Sequence, residues 1–283
     1  MKLIICPKCK HDNLTDKKDY LVCNKCGEKY AIREGILVLK PQRGFETWDE
    51  LYKKRNFKKE IKQMRSYLNN KRVLDYYIFA GIIKRNGLKL KNSLEIGSGL
   101  GKYSLVLKNN GLVEDVYMVD FSFESLLISK KIFDFFGLDG NFILADARRL
   151  PFKDKSFDLT FSGGLLEHYL GKEKDMVFSE HHRLSNKVIF QVPTNSFAYW
   201  FRRIIATIIY LGWPFGFENP ISFKQLKNFY KKNNMKIVDC DYHDFLTASL
   251  FILSNRIPFF SRLIKKGFFS HLLRSDIVVY GSS

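Results

Sequence analysis

Four cysteines stand in the first 26 residues as two pairs, Cys6-Pro7-Lys8-Cys9 and Cys23-Asn24-Lys25-Cys26, with thirteen residues between them. Two such pairs supply four thiolates, a full tetrahedral shell for Zn²⁺ or for iron in the same cage, and Gly27 permits a tight turn after the second pair. Four protein ligands leave no position for water, so a zinc held there is structural. Two disulfides or a redox pair are the competing readings. The first calls for a secretory leader and the second for a βαβ context, and the opening Met1–Cys6 stretch has too short an apolar run for a leader. The fifth cysteine, Cys240, reads as a small buried hydrophobe on a strand.

A second group of residues carries different chemistry. In Leu94-Glu95-Ile96-Gly97-Ser98-Gly99-Leu100-Gly101-Lys102-Tyr103, a strand runs into a glycine bend that opens a helix. Glycines there let the backbone turn sharply and approach a ligand. The spacing is Gly-x-Gly-x-Gly, unlike the GxGxxG of a dinucleotide fingerprint. Glu95, inside the strand, can accept from an ammonium group. Asp120, closing the next strand, can accept from the two hydroxyls of a ribose. Asp146, followed by Ala147 at the end of the third strand, can accept from an exocyclic amine such as that of adenine. A nucleoside bearing an ammonium group fits this set better than a nicotinamide dinucleotide, which stays as the alternative.

As a set these residues resemble the class I (Rossmann-like) S-adenosylmethionine-dependent methyltransferase family, type 11-like. The resemblance runs from about residue 92 to the C-terminus and is closest over 93–170. It implies S-adenosylmethionine as cofactor, with Glu95, Gly97, Ser98, Gly99 and Gly101 around the methionine moiety. It further implies Asp120 on the ribose, Phe121 beside the adenine ring, Asp146 and Ala147 at its amine, and Gly163 near the sulfonium. The segment from Cys23 to Leu39 resembles the small zinc-ribbon family that activates tRNA and protein methyltransferases, and the ribbon that precedes some rRNA guanine methyltransferases.

Methyl transfer from a sulfonium is an in-line displacement that needs alignment and, for some acceptors, a base. The stretch Ser162-Gly163-Gly164-Leu165-Leu166-Glu167-His168-Tyr169 supplies the candidates. His168 titrates near neutral pH and is the candidate base, with Glu167 to orient it; local hydrogen bonds that fix the loop are the other reading. Glu180-His181-His182 is expected on a solvated helix face, a metal set with Glu167 being its alternative. No GxSxG elbow is present, so a nucleophilic hydrolase is not indicated.

These residues need a scaffold. Strands are expected at Ser93–Ile96, Asp115–Val119, Asn141–Ala145, Phe157–Phe161, Lys187–Val192, Lys236–Cys240 and Asp276–Tyr280, with helices between most of them. The fold class is α/β: a Rossmann-like, seven-stranded, mostly parallel sheet with helices on both faces, preceded by a small zinc ribbon. By the resemblance, its last strand is antiparallel. The domains expected are a ribbon over 1–42, a basic helical linker over 43–91 and a methyltransferase domain over 92–283.

The chain carries 47 Lys and Arg against 29 Asp and Glu, and the linker alone has 14 against 5. Such a balance suits a polyanionic partner or a merely solvated surface. Two aromatic insertions are expected, at about 195–220 and 245–273. They favour a small or lipid-linked acceptor, reached in the cytoplasm or at the inner face of the membrane. RNA, held by the ribbon and the basic linker, is the alternative acceptor; a cofactor-binding scaffold without turnover is the third reading. No run reaches the ~18 apolar residues of a spanning helix.

Overall fold

The computed structural model describes residues 3–39, 46–69, 75–209, 211–213, 216–243 and 275–283. Four short strands come first: β1 Leu14–Asp16, β2 Tyr20–Cys23, β3 Lys29–Arg33 and β4 Ile36–Val38. Helices α1 Glu46–Lys53, α2 Phe57–Asn69 and α3 Asp75–Arg85 follow. Then strand and helix alternate: β5 Leu90–Ile96, α4 Lys102–Asn109, β6 Val113–Asp120, α5 Phe123–Phe135, β7 Asn141–Leu144, β8 Leu159–Gly163. A single 3₁₀ turn at Leu166–His168 leads into α6 Gly171–Leu184, β9 Lys187–Pro193, α7 Phe197–Ile209, α8 Phe223–Lys232, β10 Lys236–His243 and β11 Asp276–Ser282.

All seven strands expected after residue 92 are present, within a few residues of their expected ends. Their order is β7-β6-β5-β8-β9-β11-β10, parallel from β7 to β9, with β11 antiparallel to both β9 and β10. The count of seven needs correction for the sheet as a whole. β4 pairs in parallel with β7, setting Ile36, Leu37 and Val38 opposite Phe142, Ile143 and Leu144. Through β4 the antiparallel strands β1 to β3 continue the same sheet, which is therefore mixed and eleven-stranded. The β3–β4 turn is Glu34-Gly35, with φ of 51° and 76°, the left-handed pair that suits a two-residue hairpin. A second tie fixes the ribbon: the Ile5 amide donates to the Pro151 carbonyl at 2.8 Å, and Ile4 bridges to Phe152.

Successive residues along each strand enter opposite cores, the mark of a sheet buried on both faces. On one face Val116, Met118, Phe142 and Val278 pack under α3, α4 and α5 through Phe79, Leu105 and Phe133. On the other, Tyr117, Val119, Ile143 and Val279 pack under α6 and α8 through Phe178, Leu226 and Tyr230, together with Ile4, Leu21, Leu37 and Leu39 of the ribbon. The basic 43–91 stretch buries Ile61 and Met64 of α2 and Phe79, Ile82 and Ile83 of α3. Glu60 is buried there with Arg55 at 3.1 Å and Lys102 at 3.4 Å.

Cys240, expected inside, is exposed, because β10 lies at the sheet edge with only β11 beside it. Of the two insertions, the first is α7 and the turn after it; the 245–273 segment lies outside the described residues. Among the described residues no helix is long and apolar enough to cross a membrane.

Candidate active site and metal centre

The four ribbon cysteines converge. Cys6 Sγ lies 3.6 Å from Cys26 Sγ, Cys9 Sγ lies 3.5 Å from Cys23 Sγ, and all four sulfurs fall within 4.8 Å of one another. A tetrahedral zinc with bonds of about 2.3 Å spaces its sulfurs about 3.8 Å apart, so the cage fits the metal. The Cys9 amide points at Cys6 Sγ and the Tyr30 hydroxyl lies 3.1 Å from it, an outer shell for the thiolate.

The second site is a cleft of about 630 Å³ at the carboxyl ends of β5, β6, β7 and β8, where open α/β sheets bind ligands. Its floor is the glycine bend. Gly97, Gly99 and Gly101 all have left-handed φ, of 69°, 51° and 63°. A Cβ on Gly97 would lie 2.5 Å from Leu165 Cδ1, and one on Gly99 2.7 Å from the Tyr52 hydroxyl. Gly101 serves packing instead: a Cβ there would meet Ser129 Oγ and Met118 Sδ under α4. The Ser98 hydroxyl is buried in the bend without a hydrogen-bond partner.

Asp120 is the carboxylate at the cleft. Its Oδ2 accepts from the Gly99 amide at 2.7 Å, and its Oδ1 from Phe121 at 2.8 Å and Ser122 at 2.9 Å. The Ser125 side chain is a fourth partner, so a ribose hydroxyl would have to share or displace one of these contacts. Burial raises its pKa above the ordinary carboxylate value in spite of these amides. Phe121, Ala145, Ala147 and Tyr169 form the apolar wall beside it.

Other sequence candidates sit elsewhere. Glu95 turns beneath the bend, 1% exposed, accepting from the Ser104 amide at 3.0 Å; burial pushes its pKa up to about 8. Asp146 faces away from the cleft and is clamped by Arg148 at 2.6 and 3.0 Å, because the chain turns and brings the guanidinium back two residues later. Gly163 ends β8 where any side chain would strike the Tyr103 ring, while its neighbours Gly164 and Leu165 line the cleft.

Glu180-His181-His182 does not form a solvated face. His181 is fully buried with Nδ1 2.8 Å from the Val177 carbonyl, and burial lowers its pKa to about 4. Glu180 accepts from the Leu150 amide and from Arg183. Among the described residues neither joins a metal set with Glu167.

His168 lines the cleft. Its Nδ1 lies 2.6 Å from the Phe217 carbonyl, and its ring meets Trp48 edge-on at 5.1 Å. Nδ1 therefore donates to the Phe217 carbonyl, and the Gly164 backbone makes a second hydrogen bond to the ring. Burial lowers its pKa from the ordinary value. The Phe217 carbonyl, not Glu167, holds the ring. Glu167 is 2% exposed; its Oε2 has no hydrogen-bond partner, and its pKa is raised to about 8 by burial, with Glu218 and Asp276 adding to the rise. Glu218 accepts from the Tyr199 hydroxyl at 3.0 Å, and Arg203 donates to that hydroxyl at 2.9 Å.

Two cleft residues escaped the sequence reading. Trp48 and Tyr52 come from α1, in the stretch expected only as a basic helical linker. The helix is held over the cleft by Asp49, whose Oδ1 accepts from the Ser122 hydroxyl at 2.6 Å. Gly99 is the glycine of the bend small enough to admit the Tyr52 hydroxyl.

Residues 94–187 match a family model described as a methyltransferase domain, and residues 1–31 match one described as a zinc ribbon domain. No curated protein sequence matches the chain. Among solved structures, one from work on the conversion of a disulfide bond into a thioacetal group during echinomycin biosynthesis is similar at 15% identity and TM-score 0.54, covering 84% of this chain and 91% of that one. The magnesium protoporphyrin IX methyltransferase of Synechocystis PCC 6803, with bound S-adenosylhomocysteine, is 14% identical with TM-score 0.51, covering 84% and 93%. A chain from the Haloferax volcanii complex of the Trm112 methyltransferase activator is 13% identical with TM-score 0.54, covering 83% and 96%. At these identities the likeness is one of fold.

Proposed function

Given a chain that carries an S-adenosylmethionine-dependent methyltransferase domain behind a structural zinc ribbon, we propose that it methylates a small, apolar or lipid-linked acceptor, with His168 as the base. When bound, the cofactor supplies an electrophilic methyl group on its sulfonium. The residues of the chain do the rest. Gly97 and Gly99 admit the ligand to the backbone, Asp120 accepts from the ribose, and Trp48, Tyr52 and Tyr169 keep water from the cleft. His168, its pKa lowered by burial and its ring held by the Phe217 and Gly164 backbones, is the group that takes a proton from a hydroxyl or amine. Glu167 stays protonated near neutral pH and can donate a hydrogen bond there.

The observation that carries the acceptor class is α7. One side of this helix reaches toward the His168 loop through Tyr199 and Glu218. The other side exposes Phe197, Trp200, Phe201, Ile204 and Ile208, the last at 70%. An apolar surface of this kind, on the helix that reaches the His168 loop with its other side, suits an acceptor that resides in, or is drawn from, an apolar phase. The test is to incubate the zinc-loaded protein with tritium-labelled S-adenosylmethionine and a total cell extract. Label is expected in the organic-soluble fraction. Label confined to acid-insoluble material and released by ribonuclease overturns the reading.

A further inference from the structure

A second, larger cleft lies between the ribbon and the methyltransferase domain, with an empty volume of about 1920 Å³. Lys8, Lys10, Lys29 and Arg33 come to its walls from the ribbon, and Arg148 and Arg149 from the loop after β7. They face two acids, Glu28 and Asp146. Both acids are taken: Lys8 pairs with Glu28 at 2.8 Å and Arg148 with Asp146 at 2.6 Å. Among the described residues, Lys10, Lys29, Arg33 and Arg149 have no carboxylate within 4 Å, and all four are exposed. Glu173 also pairs with Arg148; against these three acids and the two negative charges of a zinc tetrathiolate, the walls keep an excess of one positive charge. Like charges gathered around a concavity repel one another unless an anion lies between them.

We propose that this cleft binds the phosphodiester backbone of a single-stranded RNA. Cations on both walls suit a ligand whose charge repeats along its length. Tyr30, half-buried, and the exposed Met176 supply apolar surface for unpaired bases. A bilayer is flat and presents no single strand to a concave slot, so the shape disfavours a lipid surface.

This inference is independent of the acceptor reading. The two clefts meet at Ala145, but this one extends over the β4–β7 pair, whereas His168 follows β8, three strand spacings or roughly 14 Å from β7. RNA in the slot is a docking partner, not the group that meets the candidate base.

The test uses the zinc-loaded full chain and a fluorescent, mixed-sequence single-stranded RNA of about 12 nucleotides, followed by anisotropy from about 50 to 200 mM salt. Binding is expected to weaken with salt. Arg33→Glu combined with Arg149→Glu is expected to weaken it at least about tenfold and to lower the slope of log affinity on log salt by about 2. The charge-matched pair Lys224→Glu and Lys227→Glu, on the exposed side of α8, is expected to change it little. Unaltered zinc content and S-adenosylhomocysteine affinity certify that both variants are folded. Equal losses in the two variants would reduce the effect to diffuse net charge and overturn the site, as would no binding at low salt. Anionic vesicles that depend on Arg33 and Arg149 while RNA does not would overturn the choice of partner.

Discussion

Leu37 of the zinc ribbon stands in parallel register with Ile143 of the methyltransferase domain, so the last strand of the metal unit is also a strand of the catalytic sheet. Ile36, Leu37 and Leu39 are buried in doing so, each contributing about 1.5–3 kcal/mol. Stripping zinc is expected to unfold the ribbon, expose the β7 edge and lower the melting temperature of the whole chain by about 10 °C, with aggregation on heating. Calorimetry before and after chelation, and on Cys23→Ser, reads this. An unchanged transition for the methyltransferase domain would show the two units to be thermally independent.

Gly99 and Gly137 provide a matched pair. Both have left-handed φ, 51° and 66°, so alanine at either costs about 1–2 kcal/mol of backbone strain. Only at Gly99 does the new methyl meet a neighbour, the Tyr52 hydroxyl at 2.7 Å. Gly99→Ala is expected to weaken S-adenosylhomocysteine binding at least about tenfold and Gly137→Ala to leave it unchanged, although both lower stability. Adding Tyr52→Phe to Gly99→Ala is expected to restore part of the affinity. Equal affinities for the two alanine variants would remove α1 from the cofactor cleft.

The sequence makes the catalytic sheet legible because each of its strands is a short apolar run bounded by turn residues. The four-cysteine cage is legible for the same kind of reason: spacing alone fixes it. What escapes is whatever depends on backbone pairing or on a side chain's direction. The β4–β7 pairing leaves no mark in residue type, since any strand-forming run can supply the amides and carbonyls. Asp146, which the resemblance puts at the adenine amine, is paired with Arg148, a contact that residue spacing does not show. His181 reads as polar surface and is instead buried beside Phe190, its Nδ1 satisfied by the preceding turn of its own helix. Trp48 and Tyr52 precede the glycine bend by more than forty residues, so nothing local ties them to the cleft.

Glu167 links stability to pH with a definite sign. Burial raises its pKa to about 8, whereas in the unfolded chain it ionises near 4.5. Between those values the folded protein holds the proton more tightly than the unfolded chain does. The contribution to stability is complete below the lower value and is lost as pH rises toward the higher one. Glu95, with the same direction and magnitude, acts in parallel. Glu167→Gln keeps the shape of the protonated acid and removes the titration. Melting temperatures from pH 6 to 9 are expected to fall less steeply for this variant than for the parent, by roughly 2–6 °C over the range. Parallel curves would mean that Glu167 is ionised in the folded state.

Asp49 ties α1 to the start of α5. Its carboxylate accepts from the Ser122 hydroxyl and, at 3.3 Å, from the Glu124 amide, at a helix N-terminus that favours negative charge. Because Trp48 and Tyr52 ride on the same helix, this tie keeps the cleft roofed. A hydrogen bond to a charged group contributes about 1.5–3 kcal/mol. Asp49→Ala is therefore expected to weaken S-adenosylhomocysteine binding about tenfold, chiefly through faster release, since the roof opens more often while the floor at Gly97 and Asp120 is untouched. Asp49→Asn, which keeps an acceptor oxygen and loses the charge, is expected to fall between. Stopped-flow displacement gives the release rate and calorimetry the affinity. If the Asp49→Ala variant releases the ligand at the parent rate, α1 covers the cleft without restraining what lies in it, and exit must run past Leu165 and His168 instead.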